Sequence, residues 1–197
     1  MKIEQLTELV LQSLEHEKGG VQIYQIALRC AQNEDLLKEW EEYFEQTQKH
    51  VAILEDVCRE LSIDPNRPSP GRSILRGLGE ALVSAMEEAL EAGNPDAAQL
   101  VACECVVLAE TKDHLDWELL DKCSEKLTGS QKKALEAAVG EVEEEEDEHL
   151  YHTKGWCREL WIESLGMKAV LPPPEERKDV KKAIGAAREE QSRDQIR

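Results

Sequence analysis

The sequence predicts an all-α fold, and three observations carry the prediction. Strand signals are nearly absent from its 197 residues, in which Leu, Ala, Val and Glu dominate and only 4% are aromatic, a balance that favours helix over sheet. Long segments repeat apolar residues at alternating spacings of three and four, the period of a helix with one buried face. Short breaks join these segments in pairs, with one long connection between the pairs. That order predicts a four-helix bundle with one long crossover carrying a short extra helix, followed by a C-terminal tail.

The first helix is expected from Ile3 to Ala31. Asn33 then offers an N-cap, and the acids of "EDLLKEW" sit at the positive end of the next helix dipole. That second helix runs to Leu61, where "SIDPNRPSPGRS" ends it with three prolines and a glycine. The connection holds a shorter helical stretch, "ILRGLGEALVSAMEEALEAG", weakened by its glycines. Asn94 and Pro95 start the third long helix, as N-cap and first helical residue, and it reaches Leu127. "TGS" separates it from the fourth, Gln131 to Leu165, closed by Gly166. A crossover of about 30 residues is long enough to span a bundle. The expected domain is therefore 1–166. Residues 167–197, opened by prolines and rich in balanced charge, are expected to form a mobile tail with some helix.

A net charge of −18 repels phosphate backbones and anionic lipid, which argues against nucleic-acid and membrane partners and favours cations. No apolar run has the length of a membrane span, and the first twenty residues read as an amphipathic helix and not as a signal peptide. The six cysteines contain no C-x-x-C pair, so reduced thiols in a cytoplasmic protein are expected.

The stretch "GEVEEEEDEHLYHT", Gly140 to Thr153, is densely acidic, and the helical period divides it. Leu135, Val139, Val142, Thr153, Trp156 and Leu160 form one line, and its continuation through the run lands on Glu146 and His149. Glu143, Glu144, Asp147 and Glu148 fall on outer or flanking faces as solvated charges. The same count gives Leu36, Trp40, Tyr43, Thr47, His50, Leu54, Val57 and Leu61 on the second helix. It gives Val10, Leu14, Glu17, Val21, Tyr24, Leu28 and Ala31 on the first, and Leu100, Cys103, Val107, Glu110, His114 and Trp117 on the third. Each apolar line is interrupted near its middle. A faint internal repeat accompanies this: Glu17 precedes Tyr24, and Glu110 precedes Trp117, by the same spacing of seven.

Glu17, His50, Glu110, Glu146 and His149 are thus expected to converge. Buried carboxylates without basic partners cost several kcal/mol each, so a cation is required. Oxygen and imidazole donors suit iron or manganese, with zinc as an alternative.

Glu17, Glu110 and Glu146-x-x-His149 together resemble the ferritin-like carboxylate-bridged di-metal proteins, whose pattern is one Glu from each of two helices and Glu-x-x-His from each of the other two. "FEQTQKHVAILEDVCRELSID" and "VEEEEDEHL" look most like the small bacterial ferritin-like proteins associated with stress responses. The resemblance covers residues 3 to 166 and implies two iron ions, with O2 or peroxide as partner and a homodimer as a common assembly. It departs at Thr47, which stands where Glu is expected. Glu45 is badly placed to replace it, and His114 is the compensating candidate. His16 and His152 are read as boundary groups, and Tyr24, Tyr43 and Trp117 as packing. The function implied is oxidation of Fe(II), or reduction of peroxide or O2. A non-catalytic scaffold with a single or degenerate metal is the alternative, and a substrate oxygenase would need an apolar pocket beside the metals.

Overall fold

Asn33 accepts hydrogen bonds from the amides of Asp35 and Leu36, and Asn94 accepts one from Ala97. Both caps expected from sequence therefore start helices. The computed structural model describes residues 1–173, all-helical in its regular structure: α1 (Ile3–Cys30), α2 (Glu34–Glu60), α3 (Pro70–Glu91), α4 (Pro95–Ser124) and α5 (Gly129–Ser164). Gly93 and Gly166 take φ of 75° and 76° after α3 and α5, the left-handed geometry that a helix-ending glycine supplies without a Cβ clash.

The extra helix starts four residues before the expected Ile74. Ser69 caps it by accepting from the Arg72 amide, and Pro70 occupies the first turn, where its missing N–H costs nothing. The proline cluster ends α2, and its last member begins α3. The glycines that weaken this stretch have a packing use, since a Cβ on Gly79 would stand 3.6 Å from the Cα of Gly19. The backbones of α1 and α3 therefore approach closely there.

Packing follows one pattern. α1 lies against α2 and α4, and α5 lies against α2 and α4 as well; α3 packs on α1 and α4. α3 is held by charge as well as contact. Glu15 on α1 accepts from Arg72 at 2.9 and 2.6 Å and from Arg76 at 2.7 Å.

The core is in two pieces. One apolar cluster includes Ile23, Tyr24, Leu36, Trp40, Tyr43, Met86, Cys103, Val106, Trp156 and Leu160. The other includes Leu6, Val10, Leu14, Leu54, Val57, Trp117, Leu120, Leu135, Val139 and Val142. On every long helix buried polar residues stand between the two clusters. Among them are Glu17 on α1, Thr47 and His50 on α2, Glu110 and Asp113 on α4, and Glu146, His149 and Thr153 on α5. A polar layer thus cuts across the middle of an otherwise apolar interior.

All six cysteines are free thiols. Among the described residues no helix is long and apolar enough to cross a membrane. Of the expected tail, residues 174–197 lie outside the described part. Its first residues turn back on α5: the Val170 amide donates to Glu159 at 2.8 Å, and Pro173 is buried against Gly155, where a Cβ would come within 3.0 Å of the proline ring.

Candidate metal centre

The polar layer contains two groups of three donors. Glu17, His50 and Glu146 form one, and Glu110, His149 and Glu146 form the other, with the donor atoms in each set within 4.8 Å of one another. All five residues expected from sequence are therefore brought together, and Glu146 belongs to both sets. His50 Nδ1 lies 3.0 Å from Glu146 Oε1 and 3.4 Å from Glu17 Oε1. His149 Nδ1 lies 3.5 Å from both Glu146 Oε1 and Glu110 Oε2. The two imidazole rings stack, with centroids 5.7 Å apart.

These atoms stand at ion-pair distance without forming a well-aligned hydrogen bond. Glu17 Oε2, Glu110 Oε2, both Glu146 oxygens, His50 Nδ1 and His149 Nδ1 are buried with no hydrogen-bond partner. Two donors that share an ion at about 2.1 Å, with angles between octahedral and tetrahedral, stand about 3.0–3.4 Å apart. The observed contacts fall close to that range. The donor set of oxygen and imidazole nitrogen also suits iron, manganese or zinc, so the residues fit a metal on both geometry and chemistry.

The same side chains are also held from outside. Trp117 Nε1 donates to Glu17 Oε1 at 2.9 Å, and the Tyr24 hydroxyl donates to Glu110 Oε1 at 2.9 Å. The spacing of seven seen in the sequence therefore crosses over: the aromatic residue after each glutamate serves the other one. Outer nitrogens are treated alike. His50 Nε2 meets Glu145 Oε2 at 2.8 Å, and His149 Nε2 meets Gln46 Oε1 at 2.7 Å. Each imidazole is thereby oriented with Nδ1 inward, the arrangement that fixes a metal-ligating tautomer.

The charges of the layer shift one another's titration. Burial works against a charged His50, yet the Glu146 and Glu17 carboxylates beside it outweigh that effect and raise its pKa to about 11. Burial, reinforced by Glu110 and Glu17, lifts Glu146 to about 7 despite the neighbouring histidines. Burial lowers and Glu110 raises the His149 pKa, with a net rise. Glu110 shifts down: burial opposes this, but His149 and the Tyr24 hydroxyl prevail.

Two buried carboxylates on α4 were missed in the sequence, Asp116, 1% exposed and bonded by Lys112, and Asp113. Asp113 is 5% exposed and its Oδ1 has no partner. Burial and the charges of Glu17, Glu146 and Glu110 push its pKa well up. After Glu110 the helical line can step by three to Asp113 or by four to His114, and an unpaired aspartate is the costlier guess. The structure takes the step of three. His114 instead bonds Asp147 at 2.9 Å across the α4–α5 contact, so it does not compensate for Thr47. Asp147 is correspondingly buried, at 6% exposure, and is not the solvated charge expected. Earlier on α4 the buried side belongs to Ala102, Cys103, Val106 and Ala109, with Leu100 and Val107 flanking; on α1 Gly20 and Ala27 replace Val21 and Leu28.

Thr47 carries no charge into the layer. Its hydroxyl donates to the Tyr43 carbonyl at 2.8 Å, and its methyl faces Gly20, where a Cβ would come within 3.2 Å. Glu45 is exposed. His16 meets the Ala109 carbonyl at 2.9 Å, and His152 meets Glu39 at 2.9 Å. Tyr43 packs its ring on His149, with centroids 4.2 Å apart, and donates its hydroxyl to Glu39. Glu145 and Gln46 could have been suspected from position alone, since each immediately precedes an inward position on its helix.

Comparison of the chain with protein-family models, with curated proteins and with solved structures finds no match.

Proposed function

We propose that the four long helices form a ferritin-like bundle that holds two divalent metal ions, iron first among them, in its polar layer. The observation that carries this reading is Glu146: it belongs to both donor sets and leaves both oxygens unpartnered in a buried site. A shared carboxylate between two His/Glu pairs is how a pair of ions is held at short range. Charge supports the same count. Glu17, Glu110, Glu146 and Asp113 contribute four negative charges when ionised, with Glu145 a fifth behind His50, so more than one divalent ion is needed to balance them. With Thr47 in place of a further glutamate, Asp113 supplies the fourth.

Glu17 and His50 would hold one ion, Glu110 and His149 the other, and Glu146 both. The chemistry such a pair would supply, as Fe(II), is two electrons, the number that reduction of hydrogen peroxide with two protons to two waters requires. The chain's own contribution is placement. Trp117 and Tyr24 fix the outer glutamates, Glu145 and Gln46 fix the histidines, and the apolar clusters on either side keep bulk water away. The function proposed is oxidation of Fe(II), or reduction of peroxide or O2, with manganese as an alternative metal. Chain purified from iron-supplemented cells should carry about two iron per chain and consume peroxide or O2 in proportion to added Fe(II). Absence of bound transition metal under these conditions would end the reading.

Thr47 favours a second reading, a non-catalytic scaffold with one ion. Retention of a single zinc, with no Fe(II)-dependent consumption of oxidant, is its signature.

A further inference from the structure

The two donor sets are near-copies, and they differ in one outer contact. Glu17 answers to Glu110, His50 to His149, and Trp117 to Tyr24, with an aromatic N–H or O–H donor at 2.9 Å in each case. Behind His50 stands a carboxylate, Glu145, at 2.8 Å; behind His149 stands a neutral amide, Gln46, at 2.7 Å. The amide's orientation is set by a second contact, since Gln46 Nε2 reaches Glu42 Oε1 at 3.5 Å and leaves Oε1 toward the histidine.

We infer that the centre fills in order, with Glu145 making the Glu17–His50–Glu146 set the tight, first-occupied position and Gln46 leaving the Glu110–His149 set as the weak, second one. This rests on the two-ion reading above and adds an order to it. A carboxylate behind a ligating histidine raises the basicity of the inward nitrogen and places a further negative charge near the cation; an amide orients the ring and adds no charge. Once the first ion sits on Glu146, the second meets a shared carboxylate already engaged and a histidine with a neutral partner. Glu145 and Gln46 touch neither ion. They are positioning residues, and their effect is on affinity.

The test is titration of the metal-free, full-length chain with Co(II), following its visible ligand-field absorption, with no turnover required. Two resolved steps are expected, the first at least about tenfold tighter than the second. Glu145→Gln should weaken the first step by about tenfold or more and leave the second in place. Gln46→Glu should tighten the second step toward the first. Glu17→Gln should remove the tight step and Glu110→Gln the weak one, which assigns each step to its residues. Equal steps in the unaltered chain, or a first step unmoved by Glu145→Gln in a variant with the same helical circular dichroism, would overturn the order while leaving a two-ion centre standing. No uptake of Co(II) at all would overturn the two-ion reading and the order with it.

Discussion

The indole of Trp117 on α4 donates to Oε1 of Glu17 on α1 at 2.9 Å, and leaves Oε2 of the same carboxylate buried and unpartnered. The bond holds the carboxylate by the oxygen that also lies 3.4 Å from His50 Nδ1. Trp117→Phe keeps most of the packing and removes the donor. Affinity for the ion on the Glu17 side is expected to fall about 10- to 100-fold, with the Glu110 side unchanged. Tyr24→Phe should show the mirror pattern. Competition with a chelator of known affinity reads both, and identical losses in the two variants would contradict the crosswise pairing.

Glu146→Gln is expected to empty the layer of both ions, because both donor sets include that side chain. Elemental analysis after dialysis gives the stoichiometry. A variant that keeps one ion would show that Glu146 serves one donor set only.

Loading should release protons. With His50 raised to about 11 and Glu146 to about 7, the metal-free layer carries protons at neutral pH that ions must displace. The groups facing one another there are Glu17, Tyr24, His50, Glu110, Asp113, Glu145, Glu146 and His149. Affinity should therefore rise with pH, and the apparent binding heat at pH 7 should depend on the buffer's ionisation enthalpy. Stability of the metal-free chain should run the opposite way. Both pKa values are raised on folding, so the native state holds more protons than the unfolded one, and stability falls as pH climbs through Glu146 at about 7 and on toward His50 at about 11. Denaturation midpoints that rise across this interval would contradict the burial of these groups.

Arg72→Ala should destabilise the chain by about 1–3 kcal/mol, because the buried Glu15 loses both bonds from Arg72 and keeps the one from Arg76. Arg72 is 8% exposed and Glu15 7%, so neither is well solvated. Arg76, whose side chain is 59% exposed, should matter much less. Chemical denaturation of the two alanine variants measures the contrast, and equal effects would show that α3 is not held through Arg72.

Much of the fold was legible because helix and buried layer share one periodicity. On α5 the line from Leu135 to Leu160 is buried at every expected position, Glu146 and His149 included. It failed where a step of three and a step of four were both open. On α4, His114 was the easier choice than Asp113, because an aspartate without a partner is expensive unless something compensates. On α1, Gly20 offers no side chain to mark its place on the buried side, and Val21 does. The outer contacts were harder still. Nothing in a single helix's pattern says that Trp117 will reach Glu17, or that Glu145 will stand behind His50, because those bonds cross between helices.

α3 covers α1 and α4 and touches neither α2 nor α5. Among the described residues, then, the molecule has a roofed flank and a bare one. On the bare flank Glu145, 31% exposed at its side chain, is bonded to the fully buried ring of His50, so a single glutamate spans the distance from solvent to the buried polar layer. A bulky side chain placed beside Glu145 is expected to shield this exposed end from solvent without touching the five buried donors.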